Sequence, residues 1–258
     1  MLRPRIIPCL LVHKKGLVKT IQFSDPKYVG DPLNAVKIFN EKEVDELMVL
    51  DIDATIDMRE PNFKLIENLA SECRMPLCFG GGVRTVDQAI RMVNLGAEKV
   101  ALSSSALNDM DLLDQIGKAI GVQSVVLVLD VKKRNKLFGS SVYEVFTHRG
   151  KKKHSKDLDV VLKQLHDHAI GELVVNDISN DGLMQGFDLD LASFVHERIE
   201  VPFTFLGGAG SYTDLNKLID RFKIIGAAAG SIFVFKGKYK AVLINYPGKE
   251  EKSQIITT

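Results

Sequence analysis

Two glycine-rich corners carry the first chemical signal in this chain. In Cys78-Phe79-Gly80-Gly81-Gly82-Val83-Arg84 an apolar run stops in three glycines and hands over to a helix-like pattern from Thr85 to Val93. Glycines at such a strand-to-helix corner let the backbone approach a ligand closely, and the free N–H groups there suit an anion, most naturally a phosphate. Glycines also close tight turns for purely structural reasons, so one copy decides nothing. A second copy, Phe205-Leu206-Gly207-Gly208-Ala209-Gly210-Ser211, lies about half the chain later, again between an apolar run and a helix pattern. Leu50-Asp51-Ile52-Asp53-Ala54 and Asn176-Asp177-Ile178-Ser179-Asn180 share roughly that offset, as do Val100-Ala101-Leu102-Ser103-Ser104 and Ala228-Ala229-Gly230-Ser231. Two similar halves are expected, with two anion sites facing one cavity if the halves close on each other.

The sharpest candidate for proton transfer is Asp130. It ends the run Val125-Val126-Leu127-Val128-Leu129, where low-dielectric surroundings raise a carboxyl pKa and fit the group for acid or base work. The competing reading is a strand-end aspartate that caps nearby N–H groups. Other apolar runs also end in polar residues, among them Asp51, Asp53, Ser104, Asn176, Asp181 and Ser231, and the segment Lys14–Thr20 brings Lys19 to the same rim.

The elements that must position these groups follow from hydrophobic patterning. Apolar runs predict strands over Ile6–Val12, Glu46–Asp51, Pro76–Phe79, Lys99–Ser103, Ser124–Asp130, Glu172–Asn176, Pro202–Leu206 and Ile224–Ala229. Amphipathic stretches between them predict helices, for example over Pro32–Asn40, Phe63–Cys73, Leu112–Ile120, Leu158–His168 and Leu191–Arg198. Strands apolar on both faces, alternating with helices, indicate an α/β fold, a (β/α)8 TIM barrel with a two-fold half-barrel repeat. An open doubly wound sheet is the alternative; the repetition and the lack of an obvious switch point argue against it. The expected organisation is a single barrel domain over 1–258, with half-barrels at 1–122 and 123–245 and a short polar tail at 246–258.

Composition fits one large core: 258 residues, 45% hydrophobic, formal net charge +1. Nothing in it points to nucleic acid, and Lys151-Lys152-Lys153 reads as a solvated loop. The three cysteines, Cys9, Cys73 and Cys78, lack metal-ligand spacing and read as reduced thiols, Cys9 and Cys78 as small buried hydrophobes. No metal or cofactor is expected. The chain shows neither a membrane-spanning stretch nor a signal-peptide pattern, so a soluble, cytoplasmic protein is expected.

Ile6-Ile7-Pro8-Cys9-Leu10, Val29-Gly30-Asp31-Pro32, Glu46-Leu47, Leu50-Asp51-Ile52, Gly80-Gly81-Gly82-Val83-Arg84, Lys99-Val100, Asn180-Asp181-Gly182, Gly186-Phe187-Asp188 and Gly207-Gly208-Ala209-Gly210-Ser211 occur in order over nearly the whole length. In these the chain resembles the cyclase subunit of imidazole glycerol phosphate synthase. The resemblance implies a (β/α)8 barrel that takes ammonia from a glutaminase subunit docked on its N-terminal face and uses it on a bisphosphorylated intermediate of histidine and purine metabolism. It also implies that Gly82, Ser103 and Ser104 hold one phosphate and Gly208, Gly230 and Ser231 the other, with Asp181 near the substrate's centre and Lys19 and Asp51 on the substrate side.

One departure is chemically decisive. Where the family carries the first of its two catalytic carboxylates, at the end of the first strand, this chain has Leu11, and only the counterpart Asp130 remains. Leucine cannot move a proton. Leu183 and Leu206 replace usual hydroxyl residues, and Ser179 a usual aspartate. The opposite end keeps all four charged positions that the family uses as an ammonia gate, Arg5, Glu46, Lys99 and Glu172, and Glu98 could face the docked partner. A structural ion network plugging the barrel is the plainer reading of that quartet. Three functions stay open. One is a divergent paralogue that keeps the conduit and serves, with a glutaminase and an ATP-dependent sugar amidotransferase, to amidate a sugar in surface-polysaccharide synthesis, as the Lys240–Pro247 segment resembles. The others are a genuine cyclase and a phosphosugar-binding barrel without an amidotransferase partner.

Overall fold

The computed structural model describes residues 3–134 and 141–256. Eight strands run parallel around a closed barrel: β1 (Arg5–His13), β2 (Leu47–Asp51), β3 (Leu77–Gly80), β4 (Lys99–Leu102), β5 (Val125–Arg134), β6 (Glu172–Asp177), β7 (Phe203–Leu206) and β8 (Gly226–Ala229). Neighbours in sequence are neighbours in space. The ring closes through β8 on β1, with Ile7 opposite Ala228, and β5 lies on β6, with Asp130 opposite Asn176. Each expected strand is present.

The strands are apolar on both faces because they separate two cores. Outside, residues such as Ile6, Leu47, Phe79, Leu127 and Phe205 pack under the helices. Inside, Ile7, Cys9, Met48, Cys78, Val126, Val128, Val174, Leu206 and Ala228 fill the barrel. Burial pushes the Cys9 thiol up to about 11 and the Cys78 thiol well above its ordinary range, so both stay protonated and pack as hydrophobes.

The helices begin where sequence provides caps. Thr85 and Gln88 form a reciprocal capping box at the helix Val86–Asn94, and Ser211 and Asp214 form its counterpart at Tyr212–Phe222. The glycines before them are sterically required. A Cβ on Gly81 would collide with the carbonyl oxygen of Asp51, and one on Gly207, at φ +104°, would lie 2.7 Å from that of Asp177. Gly207→Ala should therefore cost about 2–3 kcal/mol, read as a lower urea midpoint at unchanged slope.

Two antiparallel ribbons rise above the barrel mouth over stretches where no strand was expected. β1 bends out to pair with Gly16–Ile21, which pairs in turn with Ser24–Gly30; β5 extends past Asp130 to pair with Val142–Thr147 and then Lys152–Asp157. Lys14–Thr20 is thus largely strand. Of the basic run read as a solvated loop, Lys152 and Lys153 are in a strand, and Lys153 Nζ donates to Glu144 Oε1 at 2.6 Å. Residues 246–256 also fold onto the body: Tyr246 is buried and donates to Ile6 O at 2.9 Å, and the helix Lys249–Ile256 buries Ile255. Residues 257 and 258 of the expected tail lie outside the described residues.

Candidate functional site

The two ends of the barrel differ in kind. At the N-terminal end, four charges stand at or just before the first residues of β1, β2, β4 and β6. Arg5 pairs with Glu46 through Nη1, and with Glu172 through Nη2 to Oε1 at 2.7 Å. Lys99 Nζ reaches Glu46 Oε1 at 2.8 Å and Glu172 Oε2 at 2.8 Å. Each carboxylate therefore meets both cations, and Thr204 Oγ1 adds a hydrogen bond to Glu172. Both glutamates are buried, their side chains 4% and 3% exposed. Burial alone would raise the Glu172 pKa, but Arg5 and Lys99 outweigh it and hold the carboxyl below its ordinary range. Burial alone would lower Lys99, and the two glutamates outweigh that and raise it.

Above this ring lies the apolar interior, and above that the mouth. Because side chains alternate along a strand, the next inward positions after Val128 and Val174 are Asp130 and Asn176. Asn176 Nδ2 donates to Asp130 Oδ1 at 3.1 Å, while Asn176 Oδ1 is buried without a partner among the described residues. Burial pushes the Asp130 carboxyl up to about 7, with Asp181 adding to the rise and the Asn176 hydrogen bond opposing it. Leu11 takes up part of the base of the same cavity, level with Leu50 in the sheet.

The first glycine corner opens on a cavity of about 220 Å³ lined by Asp51, Gly82, Ser103, Ser104, Asp130 and Asn176. The second opens on one of about 30 Å³, lined by Lys19, Asp181, Gly208, Gly230 and Ser231. Lys19 makes the difference. Its buried ammonium donates to Cys9 O at 2.5 Å, and a Cβ on Gly230 would collide with it. Burial lowers its pKa, and Cys9 and Asp181 only partly restore it.

The sequence model of the family described as histidine biosynthesis protein matches residues 5–240. The chain belongs to that family. Within it the chain is HisF-like, and relatives that it matches carry the names of imidazole glycerol phosphate synthase subunits. It is 55% identical over 256 residues to a protein of Vibrio vulnificus (strain YJ016) provisionally named imidazole glycerol phosphate synthase subunit hisF3, covering 99% of this chain and 97% of that one. It is 49% identical over 255 residues to a Leptospira borgpetersenii protein provisionally named subunit HisF, covering 99% of each. It is also 45% identical over 247 residues to a Pseudomonas aeruginosa PAO1 protein provisionally named subunit hisF2, covering 96% and 97%.

In this HisF-family barrel several expected site residues are held by their own surroundings. Asp51 accepts from the N–H groups of Asp53 at 3.0 Å and Ala54 at 3.1 Å and faces Arg59, so it fixes the loop after β2 as well as lining the cavity. Asp181 accepts from Thr20 Oγ1 at 2.7 Å, and its backbone carbonyl takes the N–H of Gln22 at 2.9 Å, which ties the first ribbon down over the mouth. Glu98 is exposed at the N-terminal end and accepts from Leu77 N at 2.7 Å. Three groups that patterning missed come from the ribbons: Phe23, His148 and Arg149 line the first cavity, and Arg149 Nη1 lies 3.3 Å from Asp53 Oδ1. His148 and Arg149 sit in a polar turn whose one signal was the sequence His148-Arg149-Gly150, and Phe23 ends the short apolar–polar alternation Ile21-Gln22-Phe23.

On the outer surface, His168 Nδ1 lies 2.7 Å from Asp114 Oδ2, near Asp111. Ala169 N–H donates to Asp114 as well, so this group joins a helix to the loop before β6. No helix among the described residues is long and apolar enough to cross a membrane.

Proposed function

We propose that this chain is the barrel subunit of a glutamine amidotransferase complex. It receives ammonia from a glutaminase docked on the N-terminal face and passes it up the interior to a phosphorylated small molecule. In this line the parental ring closure has been given up for amidation of a sugar in surface-polysaccharide synthesis, which requires an ATP-dependent sugar amidotransferase as a further partner. The observation that carries the reading is a complete charged ring at one end of the barrel, combined at the other with a leucine, Leu11, that lines the same cavity as the remaining acid, Asp130.

The N-terminal face supports a docked partner. Val122 and Ile224, in the turns before β5 and β8, are 40% and 55% exposed, and Glu98 is exposed before β4. Ammonia is small and neutral, so an apolar interior does not trap it, whereas a charged group would be held at the ring. Passage requires one ion pair to part, which gives the ring the character of a gate.

At the mouth, the phosphate of the ligand is assigned to Gly82, Ser103 and Ser104. The second corner, Gly208, Gly230 and Ser231, is served by Lys19, whose ammonium already lies in it. Asp51 and Asp181 hold the loops that shape these corners. A genuine cyclase is the second reading, favoured by an Asp130 carboxyl poised near neutrality.

Complementation separates the two. In a strain lacking the histidine cyclase, the wild-type chain is expected not to restore growth without histidine, and Leu11→Asp is expected to restore it. Growth on the wild-type chain would establish the cyclase. Stimulated glutamine hydrolysis on mixing with a glutaminase subunit is expected under both; its absence would leave a phosphosugar-binding barrel.

A further inference from the structure

Arg149 has no role in the account so far, although it lines the first cavity together with Arg84 and His148. The corner at Gly82, Ser103 and Ser104 can hold one phosphate with N–H groups and hydroxyls. Arg84 follows Gly82 by two residues, and its guanidinium is held by Met58 O at 3.0 Å. Of the carboxylates in the cavity, Asp51 is already matched by Arg59 and two backbone N–H groups, and Asp130 by Asn176. Arg149 is the cation left over.

The tip of the second ribbon fixes where it stands. His148, Arg149 and Gly150 run in the left-handed region at φ 54°, 59° and 70°. Consecutive non-glycine residues there are costly, and such strain gathers at ligand clamps. Lys151 N–H closes the turn on His148 O at 3.3 Å, and Gly150 is seated against Phe23 of the first ribbon, where a Cβ would lie 3.2 Å from the ring. The Arg149 side chain is 19% exposed, and among the described residues its one partner is Asp53, at 3.3 Å. Asp53 does not depend on it, because His13 Nδ1 lies 2.9 Å from the same carboxylate and Lys14 N–H donates to it at 2.7 Å. A guanidinium carries five donors in a planar fork that matches carboxylate and phosphate oxygens. Arg149 can therefore give its free donors to a ligand while Asp53 stays satisfied. The second corner offers no room for a further anion: its cavity of about 30 Å³ holds little more than water, and the Lys19 ammonium stands in it.

We propose that Arg149 is a specificity-determining residue of the first cavity, reading a second anionic group, carboxylate or phosphate, on a small ligand whose phosphate sits at Gly82, Ser103 and Ser104. This rests on the phosphate assignment made above and narrows the ligand from any phosphate ester to one with two anionic ends, both held in one cavity.

The test uses the full chain and calorimetric titration at about 0.15 M salt, where remote charges are largely screened. Three probes share one scaffold: glucose 1-phosphate, with a hydroxyl at its far end, glucuronic acid 1-phosphate, with a carboxylate there, and glucose 1,6-bisphosphate, with a phosphate. At least one of the two doubly anionic probes is expected to bind about tenfold or more tighter than glucose 1-phosphate, the size of one hydrogen bond to a charged group. Arg149→Gly, which suits a positive φ and so keeps the turn, should bring that ratio to about one while leaving glucose 1-phosphate within about twofold. Arg149→Lys keeps the charge without the fork and should retain only part of the preference. Lys151→Gln, which removes an exposed charge from the same ribbon, should leave the ratio unchanged. A residue that merely held Asp53 and its loop would, when removed, weaken all three probes alike. No preference in the wild type, or a preference that survives Arg149→Gly, would overturn the assignment and leave the phosphate corner standing. Failure of all three probes to bind would sink the corner and this reading with it.

Discussion

Arg5→Ala is expected to lower the stability of this barrel by about 3–5 kcal/mol, the usual result of removing one partner from a buried ion pair. The substitution leaves Glu46 and Glu172, each nearly fully buried, to share Lys99. Two carboxylates on one ammonium cannot both be neutralised, and at least one must either stay charged without its partner or take up a proton. The pH dependence distinguishes this from a packing loss. Glu172 is held below its ordinary pKa, so its contribution is present above the unfolded value of about 4.3 and is lost as pH falls through the lower folded value. The gap between Arg5→Ala and wild type should be widest near neutrality and should narrow below about pH 4. Urea denaturation at a series of pH values reads both; a constant gap would mean that Arg5 acts through its alkyl stem alone. Replacing all four charges together with apolar residues of similar volume should cost much less than Arg5→Ala, because each desolvation penalty disappears with its charge. That contrast bears on function: a ring that stability alone does not require fits a gate.

Much of this architecture could be read from residue order. The eight apolar runs became eight barrel strands because parallel strands buried on both faces have no polar side to confuse the pattern, and each glycine corner led into a capped helix. What patterning missed lies in the ribbons. Ser24–Gly30 and Lys152–Asp157 are mostly exposed, so their strand character comes from pairing with a neighbour and leaves no alternation in the sequence. The same gap hid His148 and Arg149. Asp130 was legible because it ends an apolar run. The asymmetry between the corners was not legible, because it depends on where one flexible lysine, Lys19, places its ammonium. The orphan oxygen of Asn176 was out of reach too, being set by the register of β5 against β6.

Asp130→Asn should stabilise the protein at pH 8, because it removes a buried carboxyl whose pKa is raised to about 7. With its folded pKa raised to about 7 by burial, native Asp130 keeps its proton where the unfolded chain has already released it, near 3.9. The native state binds the extra proton, so wild-type stability falls as pH climbs from about 4 to about 7 and is level above that. Asparagine cannot ionise, and its oxygen can still accept from Asn176, so the variant escapes the fall. Its advantage should be on the order of 4 kcal/mol at pH 8, about three pKa units, and should shrink towards zero as pH approaches 4. Asp177, raised to about 6, adds its own slope to both proteins and cancels in the difference. Denaturant midpoints of the two proteins at pH 5 and pH 8 decide the matter, and equal differences at both would show an ordinary surface-like carboxyl. An advantage of that size at pH 8 would mark an acid retained for something other than packing. Held by Asn176 in a cavity that Leu11 also lines, Asp130 carries a carboxyl whose pKa burial raises to about 7.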